Sequence, residues 1–159
     1  MNSDITFESE NMVFNFRVAT VIKNGDKILV QKDDRVSHVT LPGGRCSLGE
    51  DTTETSVREF KEETDINCLF VKSLGMVENF FVSSFNGKKY HEILMINEIK
   101  FVDHNLYSMK EIPNIEEKKK EHLKFVWMTQ EELKNSNFKP NIILEIINND
   151  GFTHLINKD

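Results

Sequence analysis

From Val13 to Ile22 the chain alternates. Phe14, Phe16, Val18 and Ile22 fall on one side and Asn15 and Arg17 on the other. A period of two is the signature of a strand with one face toward a core. Asn24-Gly25 follows, a pair suited to the left-handed conformation of a tight hairpin turn, and Lys27–Gln31 is the partner strand. Leu41-Pro42-Gly43-Gly44 breaks the pattern and predicts a loop. Ile66–Ser84 reads as extended, with Gly75 as a bulge or bend. Asn86-Gly87 marks a second hairpin, and Tyr90–Phe101 is its returning strand. Asp103–Glu121 is polar and predicts an exposed loop, and His122–Trp127 is the last strand expected.

Helical spacing appears in three places. Over Thr52–Thr64, Asp51 is placed to cap the first turn and Glu54 to complete a capping box. Val57 and Phe60 form a thin apolar stripe, extended by Thr53 and Ser56, so this helix leans on tertiary contacts. Thr129 caps a short helix through Glu132 and Leu133. After Pro140, the residues Ile142, Ile143, Ile146 and Ile147 recur at helical spacing. With no repeat, linker or low-complexity segment, residues 1–159 read as one domain.

Composition narrows the function. A net charge of −6 argues against a protein that coats nucleic acid or a membrane surface, both of which call for a basic face. It permits a phosphate substrate, because divalent cations supply positive charge. The run Glu116-Glu117-Lys118-Lys119-Lys120 mixes both signs and reads as a solvated face. Cys46 and Cys68 have neither disulfide-framework nor zinc-finger spacing and read as reduced thiols. Met1–Glu10 has no basic segment followed by an apolar one, and no apolar run approaches the ~20 residues that span a bilayer. A cytoplasmic protein is expected.

The chemistry lies between Gly44 and Ile66. Glu59, Glu62 and Glu63 stand at i, i+3 and i+4, and at about 100° per residue they share one helix face. Such a face alone is commonly just solvated. Here, however, it follows a Gly-Gly turn and comes with Glu50, placed to pair with Arg58. Carboxylates gathered on a rigid face are the hard oxygen donors that Mg²⁺ or Mn²⁺ takes.

This segment resembles the Nudix box, G-x5-E-x7-R-E-U-x-E-E-x-G-U with U bulky and apolar. It runs here as Gly44, Glu50, Arg58, Glu59, Phe60, Glu62, Glu63, Asp65 and Ile66. A chance match of the six glycine and charged positions is on the order of one in 100,000 at ordinary residue frequencies. Phe60 replaces an aliphatic residue. Asp65 replaces the glycine that ends the helix, a position expected to need a left-handed backbone at a cost of about 1 kcal/mol. The resemblance implies an α/β fold with a mixed sheet sandwiched between helices. It also implies an enzyme that hydrolyses a phosphoanhydride bond in a nucleoside di- or triphosphate derivative, by metal-activated water attack on phosphorus. By the same likeness Glu59, Glu62, Glu63 and the Gly43 carbonyl hold metal, Arg58 and Glu50 orient the carboxylates, and Glu62 or Glu63 takes the proton. Glu92, Glu98 and Glu111 are candidate bases outside the box.

Substrate choice lies elsewhere. Neither the proline of the family's ADP-ribose subgroup nor the tyrosine of its diadenosine polyphosphate subgroup stands in the zone Phe81–Ser84. Phe80, Phe81 and Tyr90 are candidates to stack a base, His91, Arg17 and Arg35 to meet phosphates, and Glu92 to contact substrate. The partner expected is a small nucleotide, with no nucleic acid and no membrane, on a monomer or homodimer. A catalytically silent ligand-binding module on the same fold is the alternative. An isomerase using Cys46 is disfavoured by the nearly intact box, and RNA-cap removal by the lack of a basic surface.

Overall fold

The computed structural model describes residues 3–116 and 122–159. Two six-stranded sheets face each other. The first contains β1 (Thr6–Ser9), β2 (Met12–Val21), β6 (Gly43–Arg45), β7 (Cys68–Val82), β8 (Lys89–Phe101) and β12 (Thr153–Lys158). Its order is β1-β2-β8-β7-β12, with β6 beside β1 on the same edge of β2. The sheet is mixed: β2 runs parallel to β8, β12 runs parallel to β7, and β7 and β8 form the long antiparallel hairpin. The second sheet contains β3 (Lys23–Asn24), β4 (Lys27–Asp33), β5 (His38–Thr40), β9 (Glu111–Pro113), β10 (Leu123–Thr129) and β11 (Asn137–Phe138), in the order β11-β5-β4-β10-β9 with β3 on β4.

Among the described residues three α-helices complete the α/β fold: α1 (Thr52–Thr64), α2 (Gln130–Lys134) and α3 (Ile143–Ile147). α1 has the expected bounds and capping box, Asp51 accepting from the Glu54 N–H and Glu54 reaching back to the Asp51 N–H. Its buried side includes the expected Phe60 and Ser56, with Val57 packed against the core, but is wider than the expected stripe and leaves out Thr53. Thr53 is exposed, and Thr55, Ser56, Phe60, Glu63 and Thr64 are buried. Polar bonds supplement the thin apolar stripe: Asn97 on β8 donates to Ser56 Oγ at 2.9 Å and to the Thr52 carbonyl at 3.2 Å.

Two apolar clusters hold the layers. One gathers Val30, Val77, Leu94 and Ile96 with Ile143 and Ile146 of α3. The other gathers Ile22, Leu29, Ile99, Phe101 and Phe125 around Phe60 of α1. Gly75 marks an irregular register, as expected, and a β-carbon there would strike the Thr153 carbonyl and Ile146, so its bareness lets β12 and α3 approach.

The structure corrects several expectations. Asn15 is 2 % exposed while Phe14 is only half-buried, because β2 is covered on both faces and its polar side lines a cleft. Leu41–Gly44 is not wholly loop, since Gly43 and Gly44 enter β6 and pair with Ala19 and Val18. Residues 103–116 contain a 3-10 turn at His104–Ser108 and the strand β9, while the run 117–120 lies outside the described residues. β10 is not the last strand: β12 follows α3, and its alternation Thr-His-Leu-Ile-Asn-Lys is too short to stand out in the sequence.

Candidate active site

The loop from β6 into α1 is drawn together by Arg58. Its guanidinium donates to Glu50 at 2.5 and 2.8 Å, to Glu59 at 3.1 Å and to Glu62 at 3.1 Å. A further donor reaches the Arg45 carbonyl at 3.2 Å, fixing the helix to β6. Glu50 also accepts from Thr55 Oγ1 at 2.6 Å. The Arg58 hydrogen bonds are the chief reason the Glu50 carboxyl is lowered to about 2. Arg58 in turn is raised, first by Glu50. Glu59 moves the other way: burial is the chief cause of its rise, Arg58 opposes it, and the neighbouring Glu62 adds to it.

The two glycines have steric reasons. A β-carbon on Gly44 would overlap the Glu59 carboxylate, and one on Gly43 would overlap the Val18 carbonyl. Glu59 therefore lies directly on the β6 backbone, at the floor of an open cleft of about 650 Å³. Gly43, Glu50, Arg58, Glu59, Glu62 and Glu63 all line it.

Glu116 joins them. The Ile115 N–H donates to the Glu63 carbonyl at 2.8 Å and Asn114 Nδ2 to Glu63 Oε2 at 3.3 Å, laying this segment along the end of α1. Carboxylate oxygens of Glu59, Glu62 and Glu116 then lie within 4.8 Å of one another. Glu63 is buried beside this group instead of inside it. The sequence pattern points to Glu59 and Glu62 but not to Glu116, because the spacing of a distant loop carries no such signal. Three clustered hard oxygen donors, one of them raised by burial, fit a small divalent cation that would offset their mutual repulsion.

A second cleft, about 670 Å³, opens between the two sheets and shares Arg17, Gly43 and Arg45 with the first. Arg17 and Arg45 are cross-strand partners on β2 and β6, and Arg17 Nε is buried without a hydrogen-bond partner among the described residues. Arg45, 3.9 Å from Asp4, is absent from the sequence-based candidates. Arg35 reaches the rim of the second cleft but is bonded to Asp33 at 3.0 and 3.1 Å. Phe81 and Tyr90 stack at 5.1 Å on its wall, and Glu92 lies beside them.

Phe80 and His91 are not brought to either cleft. Strand alternation turns them to the opposite face of the sheet, where they stack at 4.4 Å, with Phe14 against His91 and Lys158 over Phe80. Glu98 pairs with Lys23 at 3.3 Å and Glu111 with Lys124 at 3.6 Å, and neither lines a cleft. Burial raises the thiols, Cys68 to about 12, and Cys46, between Arg45 and Ser47 of the first cleft, is fully buried and lines neither cleft.

The NUDIX domain model matches residues 14–146. The chain belongs to the NUDIX domain family. The expectation of a NUDIX-type hydrolase thus holds at the level of the family, and solved structures share its fold. The mutator MutT protein from Bacillus halodurans is 18% identical with a TM-score of 0.62, covering 90% of this chain and 89% of that one. A NUDIX hydrolase from Nitrosomonas europaea is 16% identical with a TM-score of 0.60, covering 91% and 79%. An ADP-ribose pyrophosphatase from Streptococcus suis is 14% identical with a TM-score of 0.57, covering 89% and 98%. No curated protein matches the sequence. No helix among the described residues is long and apolar enough to cross a membrane.

Proposed function

We propose that this NUDIX family member hydrolyses a phosphoanhydride bond in a nucleoside diphosphate or triphosphate derivative, using Mg²⁺ or Mn²⁺. The observation that carries the reading is a continuous path. The carboxylate cluster, the Arg17–Arg45 pair and the aromatic wall follow one another through two clefts that share a border. Glu59, Glu62 and Glu116 would hold the cation, with Glu63 and the Gly43 carbonyl alongside. When bound, it supplies positive charge against the phosphate oxygens and favours ionisation of an attacking water.

The remaining work belongs to the chain. Arg17 and Arg45 receive phosphate oxygens at the junction of the clefts, where Arg17 still has an unused donor. Arg58 holds Glu50, Glu59 and Glu62 in one arrangement, so the carboxylates need no reorganisation during the reaction. Glu62 takes the proton from the attacking water. It is 48% exposed on its side chain and reaches solvent, whereas Glu63 is buried and bonded to Asn114. The shared border of the two clefts supports reading residues 1–159 as one domain. A small nucleotide, with no nucleic-acid partner, acting on a monomer or homodimer in the cytoplasm, completes the reading.

The test is product release from nucleoside triphosphates, ADP-ribose, nucleotide sugars and dinucleoside polyphosphates, with Mg²⁺, Mn²⁺ or EDTA. Turnover that requires metal and falls ~10²-fold or more in Glu62→Gln is expected. Absence of turnover on every substrate, with nucleotides still raising the melting temperature, would identify a binding module instead.

A further inference from the structure

One register row crosses the whole first sheet: Thr6 on β1, Asn15 on β2, Glu92 on β8, Asn79 on β7 and Asn157 on β12 are successive cross-strand partners. Direct partners share a face, so five polar side chains form one line across a sheet whose next row inward on β8 and β7 is Leu94 and Val77. The line is bonded from both ends. Thr6 Oγ1 donates to Asn15 Oδ1 at 2.7 Å; Asn157 donates to Asn79 Oδ1 at 2.8 Å, and Asn79 donates to Glu92 Oε1 at 3.4 Å. At the centre the bonding is incomplete. Glu92 is 4% exposed, and its Oε2 is buried with no hydrogen-bond partner among the described residues. A buried carboxylate oxygen without a donor is costly, and its persistence points to a donor that arrives with a ligand.

The neighbouring row outward is the stacked Phe81–Tyr90 pair, and two residues inward on β2 comes Arg17. From the Asn15 row to the Ala19–Gly43 pair is four residues, ~13 Å at about 3.3 Å each. An aromatic surface, a hydrogen-bonding row, an arginine pair and a carboxylate cluster thus follow one another at nucleotide dimensions.

We infer that Glu92 selects a guanine-type base, accepting the adjacent N1–H and N2–H of its pairing edge. A carboxylate offers two acceptors side by side and no donor when ionised. Guanine presents two adjacent donors. Adenine and cytosine present an amino group next to a ring-nitrogen acceptor, and uracil presents one N–H between two carbonyls, so each sets an acceptor against a carboxylate oxygen. The guanine O6, next along the edge, meets the amide of Asn15 or Asn79 flanking Glu92. Asn79 and Asn157 are positioning residues. The inference rests on the nucleotide reading of the site, but not on turnover.

Calorimetric titration of the purified protein with GMP, AMP, CMP and UMP in EDTA tests it without metal or hydrolysis. GMP is expected to bind at least ~30-fold more tightly than AMP, and Glu92→Gln to shrink that ratio to within ~3-fold while the circular dichroism spectrum is kept, because the amide puts a donor where an acceptor is needed. AMP binding as tightly as GMP overturns the inference, as does a ratio unchanged in a folded Glu92→Gln. The wild-type ranking alone decides if that variant does not fold. GMP preference without hydrolysis of any substrate leaves base selection standing and removes the hydrolase; hydrolysis without base preference does the reverse.

Discussion

Replacing Glu50 by Gln separates the electrostatics of the loop from its packing. The two side chains are nearly equal in volume, so the change removes a charge that takes two Arg58 donors, one Thr55 hydroxyl and the Ser47 N–H. The carboxyl moves from an ordinary 4.5 to about 2 on folding. At about 1.4 kcal/mol per factor of ten, that corresponds to roughly 3 kcal/mol at neutral pH, and solvent on the open side of the cleft screens it to about 2 kcal/mol. The sign follows from the direction. A carboxyl lowered by folding stabilises fully above its unfolded value, and the contribution is lost as pH falls through that value toward about 2. Urea unfolding of wild type and Glu50→Gln at several pH values is the assay. The stability gap should be about 2 kcal/mol at pH 7 and shrink to below about 1 kcal/mol by pH 3. Taking the difference cancels acid effects common to both proteins, including that of Asp33, which Arg35 holds below the usual range. A gap that stays constant from pH 7 to pH 3 would refute the argument, since it would assign the loss to packing.

Three further outcomes follow from the geometry. Gly44→Ala should displace the Glu59 carboxylate and lower kcat ~10²-fold or more while melting shifts little; unaltered kcat would show that the overlap relaxes without moving Glu59. Asp65→Gly should stabilise by about 1 kcal/mol in urea, because Asp65 ends α1 at φ 61° and its exposed pair with Lys61 contributes little. Phe60→Ala should cost about 3–5 kcal/mol, since Phe60 is 2% exposed among Phe101 and Phe125; a loss under about 1 kcal/mol would mean that this cluster does not anchor α1.

The site was legible where it is local. Helix α1, its cap and the positions Glu50, Arg58, Glu59, Glu62 and Glu63 lie within one short segment, so spacing puts the three glutamates on one helix face and Glu50 within reach of Arg58. The left-handed conformation expected of Asp65 is there too. What required the fold is what distant segments bring. Glu116 reaches the cluster only because backbone and side-chain bonds lay residues 114–116 against Glu63. Arg45 becomes the neighbour of Arg17 only through the β2–β6 pairing. Alternation marks β2 as a strand but does not say which of its faces is covered. Asn15 is polar, and polar residues are mostly exposed, yet it belongs to a buried row that takes shape only across five strands. The same alternation explains why Phe80 and His91, adjacent in sequence to Phe81 and Tyr90, point away from the cleft.

Strand β2 acts as a ruler. Asn15, Arg17 and the Ala19 contact with Gly43 sit on it at equal steps, so a single spacing sets where ring, phosphates and carboxylates can lie. Inserting or deleting one residue there would turn every mark to the wrong face at once. The connections Asp34–Ser37 and Ser83–Lys88 border the second cleft without lying on that scale. Length changes that retune the ligand are therefore expected in those rims, and β2 should vary in side chain but not in length.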